Sequence, residues 1–313
     1  MAQPLPSLGR RSWDRLRPVK QDPLESMGFV SKGDNRSAIS TSRYLMTANQ
    51  PRLLDPKTQE SFYNKIVARY TQFCTRYSSD LDSAFASLSL DESRSASTPS
   101  PSAELSTILL ALRKLREGLL AGSASTPSPV FSQRVHVFNI RAAILALHPP
   151  GYHASLLHLL FVLHTPAHPL PRPELVEMTT YLILDTAIRQ NDLPQAYALR
   201  YNSRIKFGFQ SRIVDSILKS IVMADWVTFW RVRQNVDGYV RAILYWHIDH
   251  QRKMVLKAIG RCYYNCDIKW ILQCSTGGEL SWEELVKLEG VSWIREGDKV
   301  VIRKSKSNAS TCA

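Results

Sequence analysis

Cysteine is scarce in this sequence: five in 313 residues, Cys74, Cys262, Cys266, Cys274 and Cys312. That number and spacing do not make a disulfide framework, and no secretory-type apolar segment precedes them, so a reducing, intracellular setting is expected. The sequons at Asn35 and Asn308 carry no meaning there. Long apolar runs are lacking as well. The most hydrophobic stretch, LLHLLFVL at residues 156–163, is far shorter than the ~20 residues of a membrane span and is flanked by histidines and prolines. No membrane partner is expected.

Motifs of common chemistries are missing too. There is no glycine-rich phosphate loop of either usual spacing, and Gly277-Gly278 reads as a loop between two helices. No serine sits in an elbow between glycines. Nucleotide hydrolysis and α/β-hydrolase chemistry therefore lack their starting motifs, and the expectation is a protein that is no enzyme, with no cofactor, no metal and no small-molecule substrate. The histidines at 148, 153, 158, 164 and 168 are spread over prolines and an apolar helix, as capping and surface histidines are.

What is present is apolar residue and positive charge. Hydrophobic residues make up 44% of the chain, enough for at least one sizeable core. Lys and Arg outnumber Asp and Glu by 40 to 27, a formal net charge of +13, which favours contact with polyanions or acidic proteins. Part of that charge lies in residues 1–50, whose Pro, Ser, Arg and Gly content reads as a disordered basic arm carrying Arg10, Arg11, Arg15, Arg17 and Lys20. Ser/Pro-rich linkers at 87–102 and 122–129 interrupt a group of N-terminal helices within 51–172. They place Ser/Thr-Pro pairs at Thr98, Ser100, Thr126 and Ser128, the pattern a proline-directed kinase uses.

Around these linkers the periodicity is helical. Asp55 followed by Pro56 makes an N-cap with proline at the first helical position, and Phe62, Ile66, Tyr70 and Phe73 then recur at three- or four-residue spacing. Further helices are predicted at 103–120, 131–147, 154–164 and 173–189, with no period-two pattern before the last fifty residues or so. Residues 188–199 (IRQNDLPQAYAL) and 221–232 (IVMADWVTFWRV) echo each other: each ends an apolar helix, offers an Asp as N-cap (Asp192, Asp225) and starts another helix. The offset is close to the ~34-residue period of stacked helix-turn-helix repeats, which predicts TPR-like helical hairpins over 173–250. Tyr197, Trp226, Phe229 and Trp230 fall at this seam and are predicted to be packing residues.

Past Gln251 the pattern changes. A helix is predicted over 251–265, with Met254, Val255, Ala258, Ile259 and Cys262 on a core face and Lys253, Lys257 and Arg261 in a basic stripe. Residues 268–274 read as a strand turning into a helix. Ser281 and Glu284 form a capping box that opens a helix over 281–288. A hairpin closes the module, with strands at 291–294 and 299–303 and a turn at residues 295–298. This is the order of a winged helix, over 251–306, followed by a disordered tail at 307–313. The helix that would enter a DNA major groove carries Glu283 and Glu284, with Glu289 just beyond, which disfavours base readout. The wing residues Arg295, Lys299, Arg303, Lys304 and Lys306, with the basic stripe, suit a sequence-independent grip on a nucleic-acid backbone. His247, His250, Cys262 and Cys266 could complete a zinc tetrahedron only if successive helices faced each other, and Cys262 is assigned to the core face instead.

The fold class read from these parts is mainly α: a TPR-like α-α solenoid followed by a C-terminal winged-helix (α/β) module. That order resembles the PCI-domain proteins, whose helical repeats run into a winged helix. The closer likeness is to the germinal-centre-associated nuclear protein family and its fungal relatives. It covers roughly residues 174–304 and rests on IVMADWVTFW (221–230), QRKMVLKAIGRCYYN (251–265) and VSWIREGDKVVIRK (291–304). The family's Met-Cys-containing entry motif is not found upstream.

The resemblance implies a non-catalytic scaffold of a nuclear, and also cytoplasmic, complex linked to transcription-coupled mRNA processing or export. Scaffolding of a proteasome-lid, signalosome or translation-initiation complex is the alternative within the superfamily, and a stand-alone winged-helix nucleic-acid-binding regulator is the alternative outside it. The implied partners are other PCI-type or complex subunits, a small acidic Sem/DSS-like protein, and RNA or DNA backbone. The implied protein interface is Trp282, Trp293, Ile294 and Val301, and the nucleic-acid candidates are Lys253, Lys257, Arg261, Lys299 and Arg303.

Overall fold

The computed structural model describes residues 53–87, 101–121 and 128–303. The basic arm, most of both Ser/Pro-rich linkers, Lys304, Lys306 and the C-terminal tail lie outside the described residues. Those described are mainly helical, with twelve α-helices and one small antiparallel sheet of three strands. No helix among them is long and apolar enough to cross a membrane. The chain divides into two compact units, Met1–Ala84 with Ser93–Ser128, and Phe85–Glu92 with Pro129–Ala313.

In the first unit, α1 (Pro56–Arg76) starts at Asp55, whose carboxylate accepts the Thr58 N–H, with Pro56 at the first turn as the sequence predicts. Phe62, Ile66 and Phe73 form its buried face, and α1 packs on α3 (Pro101–Ala121), which buries Leu105, Ile108, Leu112 and Leu115. The short α2 (Leu81–Ala86) lies between them in sequence. The buried Gln59 amide ties this unit together by donating to the carbonyls of Leu53 (2.8 Å) and Gly118 (3.3 Å). Gly118 must be glycine, since a Cβ there would sit 2.8 Å from the Leu53 oxygen. Proline again opens a helix at Pro101 and at Pro129, so the linkers end two residues and one residue earlier than predicted at their C-terminal sides.

The second unit starts with helices packed in chain-order pairs: α4 (Pro129–Leu145) with α5 (Pro149–His158), α6 (Arg172–Ile188) with α7 (Leu193–Phe207), and α8 (Arg212–Val222) with α9 (Trp226–Asn235). The helix predicted over 154–164 begins earlier, at Pro149, and continues past His158 as a π-helical turn (Leu159–Leu163). α6 is the hub. Every residue from 178 to 188 is buried, because α5, α7, α8 and α10 (Gly238–Cys262) all pack against it.

A carboxylate sits inside that hub. Asp185, with its side chain fully buried, accepts from Tyr152 Oη (2.6 Å), Arg189 Nε and Nη2 (2.6 and 2.8 Å) and Gln190 Nε2 (3.0 Å), with His153 Nδ1 at 3.1 Å. Burial pushes the carboxyl up, but the hydrogen bonds from Arg189, Tyr152 and Gln190 outweigh it, and the group is held below its ordinary value. A charge is tolerable at this depth only because its acceptor sites are filled.

Asp192 and Asp225 cap α7 and α9 as predicted, accepting the Gln195 and Thr228 N–H groups at 2.9 and 3.0 Å. Each follows a residue in the left-handed region, Asn191 (φ 54°) and Ala224 (φ 52°), which turns the chain back on itself. The echo is therefore a shared corner. Of the four seam aromatics, Phe229 and Trp230 are buried and Trp226 is half-buried; Tyr197 is exposed, a correction to its predicted packing role, since of α7 only Ala196 is buried.

From α10 the chain runs into β1 (Asn265–Asp267), α11 (Ile268–Thr276), α12 (Trp282–Glu289), β2 (Ile294–Glu296) and β3 (Lys299–Val301). The sheet order is β1-β3-β2, with Cys266 opposite Val300 and Arg295 opposite Val300. Three predicted boundaries move. The strand precedes residue 268, since Asp267 caps α11. The hairpin turn shrinks to Gly297-Asp298, with Gly297 at φ 64°. The helix predicted to start at Gln251 starts at Gly238 and runs unbroken to Cys262, so the expected border at residues 250–251 falls inside one helix. Its first half buries Val240, Ile243, Leu244 and Ile248, and its second half supplies Val255, Leu256 and Ile259 to a core shared with Cys266, Ile271, Leu285 and Val300.

The α8–α9 hairpin is bonded to this C-terminal part. Trp230, 2% exposed, donates its indole N–H to the Cys274 carbonyl at 2.8 Å, one of the α11 carbonyls left without a helical partner. Gln234 donates to the Gly277 carbonyl at 2.9 Å, and Arg233 pairs with Glu279. Gly277, at φ 66°, ends α11 where a Cβ would lie 3.0 Å from the Trp230 ring, so both conformation and space demand glycine.

Truncating Trp230 removes a buried aromatic and orphans a buried carbonyl. Trp230→Ala is expected to lower the stability of the second unit by about 3–5 kcal/mol, and Trp226→Ala by clearly less. Urea unfolding curves check this, and equal losses for the two would contradict the assignment.

Candidate macromolecular interface

The surface of the C-terminal part is sorted by the alternation of its three short strands. Cys266 and Val300 point to the core, so their neighbours Asn265, Asp267, Lys299, Val301, Ile294 and Glu296 share the opposite face. Among the four residues expected at a protein interface, Ile294 lies on that outer face and is 54% exposed, with the half-buried Val301 directly opposite it. Trp293 is half-buried, its ring 3.3 Å from where a Cβ of Gly260 would be. Trp282 is a correction. As the first residue of α12 it is buried in the core cluster with Leu285, so its ring is spent on packing and not presented to a partner.

The five residues expected to contact nucleic acid divide. Lys253, Lys257 and Arg261 are exposed along one side of α10, four residues apart as a helical stripe requires. Arg303 joins this group at the helix end, donating from Nη2 to the Arg261 carbonyl at 2.7 Å. A cation there also offsets the negative end of the helix dipole. Lys299 does not join it. Its register partners are Asp267 on β1 and Glu296 on β2, so two carboxylates flank it at the far end of β3.

Two carboxylates of α12 are committed within the fold. Glu283 of α12 pairs with Arg295 of β2 at 2.8 Å, so the β2 arginine faces a carboxylate. Glu289 pairs at 2.9 Å with Arg252, both side chains buried, fastening the end of α12 to α10. The acidic helix expected from the sequence is thus partly neutralised from inside, while Glu283 remains exposed at its N-terminal turn.

Beside the basic stripe lies a feature that the sequence reading missed. Tyr263, Tyr264 and Trp270 are 45%, 59% and 39% exposed, and the Tyr263 and Trp270 rings meet edge-on with centroids 5.3 Å apart. The Arg303 guanidinium lies 5.2 Å from the Tyr264 ring centroid. The signal in the sequence is the Tyr263-Tyr264 pair that follows Arg261 after a single cysteine, which the helix predicted over 251–265 absorbs. The helix in fact ends at Cys262, leaving Cys262 exposed and not on the core face.

Continuity of α10 also separates the residues considered for zinc. His247 and Cys262 lie on one helix, roughly 22 Å apart along its axis at ~1.5 Å per residue, and the sulfur of Cys266 belongs to the core. Among the described residues no three His, Cys, Asp or Glu side chains are grouped to hold a metal ion. His247 is instead a packing residue. Its ring lies 5.5 Å from Phe229 and 5.2 Å from His250.

Burial, with His250 alongside, holds the His247 imidazole down to about 4 from the ordinary 6.5. Between those values the unfolded chain binds a proton that the folded chain refuses, so this contribution is complete above pH 6.5 and is lost as the pH falls toward 4. A shift of this size is worth up to about 3 kcal/mol. Urea unfolding at about pH 7 and about pH 4.5 is expected to show a larger loss in the wild type than in His247→Gln. Parallel losses would remove His247 from the acid response.

No protein-family model matches the chain, and no curated protein is significantly similar to it in sequence.

Proposed function

We propose that this chain is a non-catalytic, PCI-type assembly subunit: a TPR-like stack of helical hairpins that runs into a winged-helix module and uses the module's surface to bind other macromolecules. The observation that carries the reading is the order α10, β1, α11, α12, β2, β3 with sheet order β1-β3-β2, attached to paired helices through one long helix. A helix, strand, two helices and a two-stranded wing in that sheet order is the winged-helix arrangement, and fusion of such a module to helical hairpins is the PCI plan.

The surfaces support binding in preference to chemistry. The buried carboxylate of Asp185 has its hydrogen-bonding capacity spent on Tyr152, Arg189 and Gln190 and has none to spare for a substrate. The sheet's outer face presents Ile294 and Val301 to a protein partner, and Lys253, Lys257, Arg261 and Arg303 present positive charge to a nucleic-acid backbone. Readout of DNA bases by α12 is disfavoured by the exposed Glu283 at its N-terminal turn. Together with the family resemblance, these surfaces support a role in a nuclear or nucleocytoplasmic complex acting on mRNA, alongside other PCI-type subunits and a small acidic protein.

Affinity purification of the full chain from its own cells, with mass spectrometry of what accompanies it, tests the assembly role. Stoichiometric helical-repeat subunits are expected with the wild type and are expected to be depleted for Ile294→Asp. A chain that purifies alone, or with the same partners in both forms, contradicts the reading.

A further inference from the structure

We infer that Tyr263, Tyr264 and Trp270 form a stacking platform for the bases of single-stranded nucleic acid, with Arg261, Lys269 and Arg303 holding the phosphates beside it. This deepens the nucleic-acid part of the proposed function, on which it rests, and is independent of the assembly part.

Three large aromatic side chains stand at the surface where α10 ends, β1 begins and α11 starts. The core beneath is already filled by Val255, Ile259, Ile268 and Ile271, so the rings are not needed to close it. They are nevertheless held in place. The Tyr264 carbonyl accepts from the backbone N–H groups of both Ile302 (2.8 Å) and Arg303 (3.2 Å), which fixes the Tyr264 backbone to the end of β3. Arg303 reaches across to the Arg261 carbonyl and over the Tyr264 ring. Trp270 is set by the first turn of α11, where the Asp267 carboxylate accepts the Lys269 and Trp270 N–H groups at 2.7 and 3.3 Å, and it meets Tyr263 edge-on. Rings fixed before binding lose little conformational freedom when a ligand arrives.

The charge around them selects the ligand. Arg303 lies over the Tyr264 ring and bonds to the Arg261 carbonyl, exposed Lys257 precedes Arg261 by one turn of α10 and exposed Lys269 adjoins Trp270 on α11, while the Asp267 carboxylate is engaged as the cap of α11. Flat apolar faces interleaved with cations match a ligand that presents bare π-faces and phosphates together. Single-stranded RNA or DNA does so, whereas a duplex hides its base faces in the stack and offers this surface phosphates alone.

The test is fluorescence anisotropy of the full chain with a labelled oligothymidylate and with a duplex of equal length, at about 50 and about 200 mM salt. The wild type is expected to prefer the single strand. Trp270→Ala and Tyr264→Ala are each expected to weaken single-strand binding about tenfold and to leave duplex binding within a factor of about two. Trp270→Phe and Tyr264→Phe keep a π-face and are expected to bind close to wild type, which separates loss of stacking from loss of fold.

Equal losses on strand and duplex, or none on the strand, overturn the platform. If the combined Lys253→Glu, Lys257→Glu and Arg261→Glu variant then still weakens both ligands, a backbone-binding patch stands without it. A wild type that binds neither ligand overturns the platform and the nucleic-acid part of the proposed function together. Unchanged strand binding by Trp270→Ala, with loss of co-purifying subunits, assigns the rings to a protein partner and likewise overturns it.

Discussion

An indole N–H buried between two helices must find an acceptor, and a helix end buried against a neighbour must find donors. Trp230 and the C-terminal end of α11 meet both demands at once: its N–H satisfies the Cys274 carbonyl, and its ring lies against Gly277, where an added Cβ would sit only 3.0 Å away. Gln234 serves the next exposed carbonyl, and Arg233 pairs with Glu279 beyond it. One side of α9 is thereby shaped to the α11–α12 connection. If the hairpin and the sheet-bearing module were independent bodies, these donors and acceptors would each be buried or hydrated separately, at a cost of about 1–3 kcal/mol for every one left unmet.

The second constraint is α10. A helix of 25 residues that gives one half of its buried face to α4, α6 and α9, and the other half to the module core, transmits position from the hub to the sheet without a hinge. Asp185 plays the matching part in the hub, drawing the α5 tyrosine Tyr152 and the end of α6 onto one carboxylate. In the proposed function the module's surface is divided by chemistry: apolar and mixed-charge on the outer sheet face, basic and aromatic at the end of α10.

Much of the fold was legible in the sequence where a local rule acted alone. Asp55, Asp192, Asp225 and Ser281 cap helices because a short acceptor side chain ahead of an apolar periodicity has one favourable use. The hairpin was legible from Gly297 between two apolar runs. What escaped was decided by partners distant in sequence. The change of pattern at Gln251 is a change in what the helix packs against, and no break in its backbone, so it was read as a boundary. Trp282 and Tyr197 show the same limit from opposite sides: one aromatic packs in the core with residues of other elements, the other is left outside because only one residue of its helix is buried. Of the candidate interface, the basic stripe was visible as helical spacing. The isolation of Lys299 between Asp267 and Glu296, and the grouping of Tyr264 with Arg303, depend on strand register that no single segment encodes.

Native-state hydrogen exchange read by mass spectrometry, across a series of sub-denaturing urea concentrations, addresses most directly whether hairpins and terminal module are one cooperative body. Amides of α9, of both halves of α10, and of α11 and β3 are predicted to open together with a common free energy and a common urea dependence. A terminal module whose amides open in a separate, lower-energy event, with exchange along α10 changing abruptly near Gln251, would contradict the account.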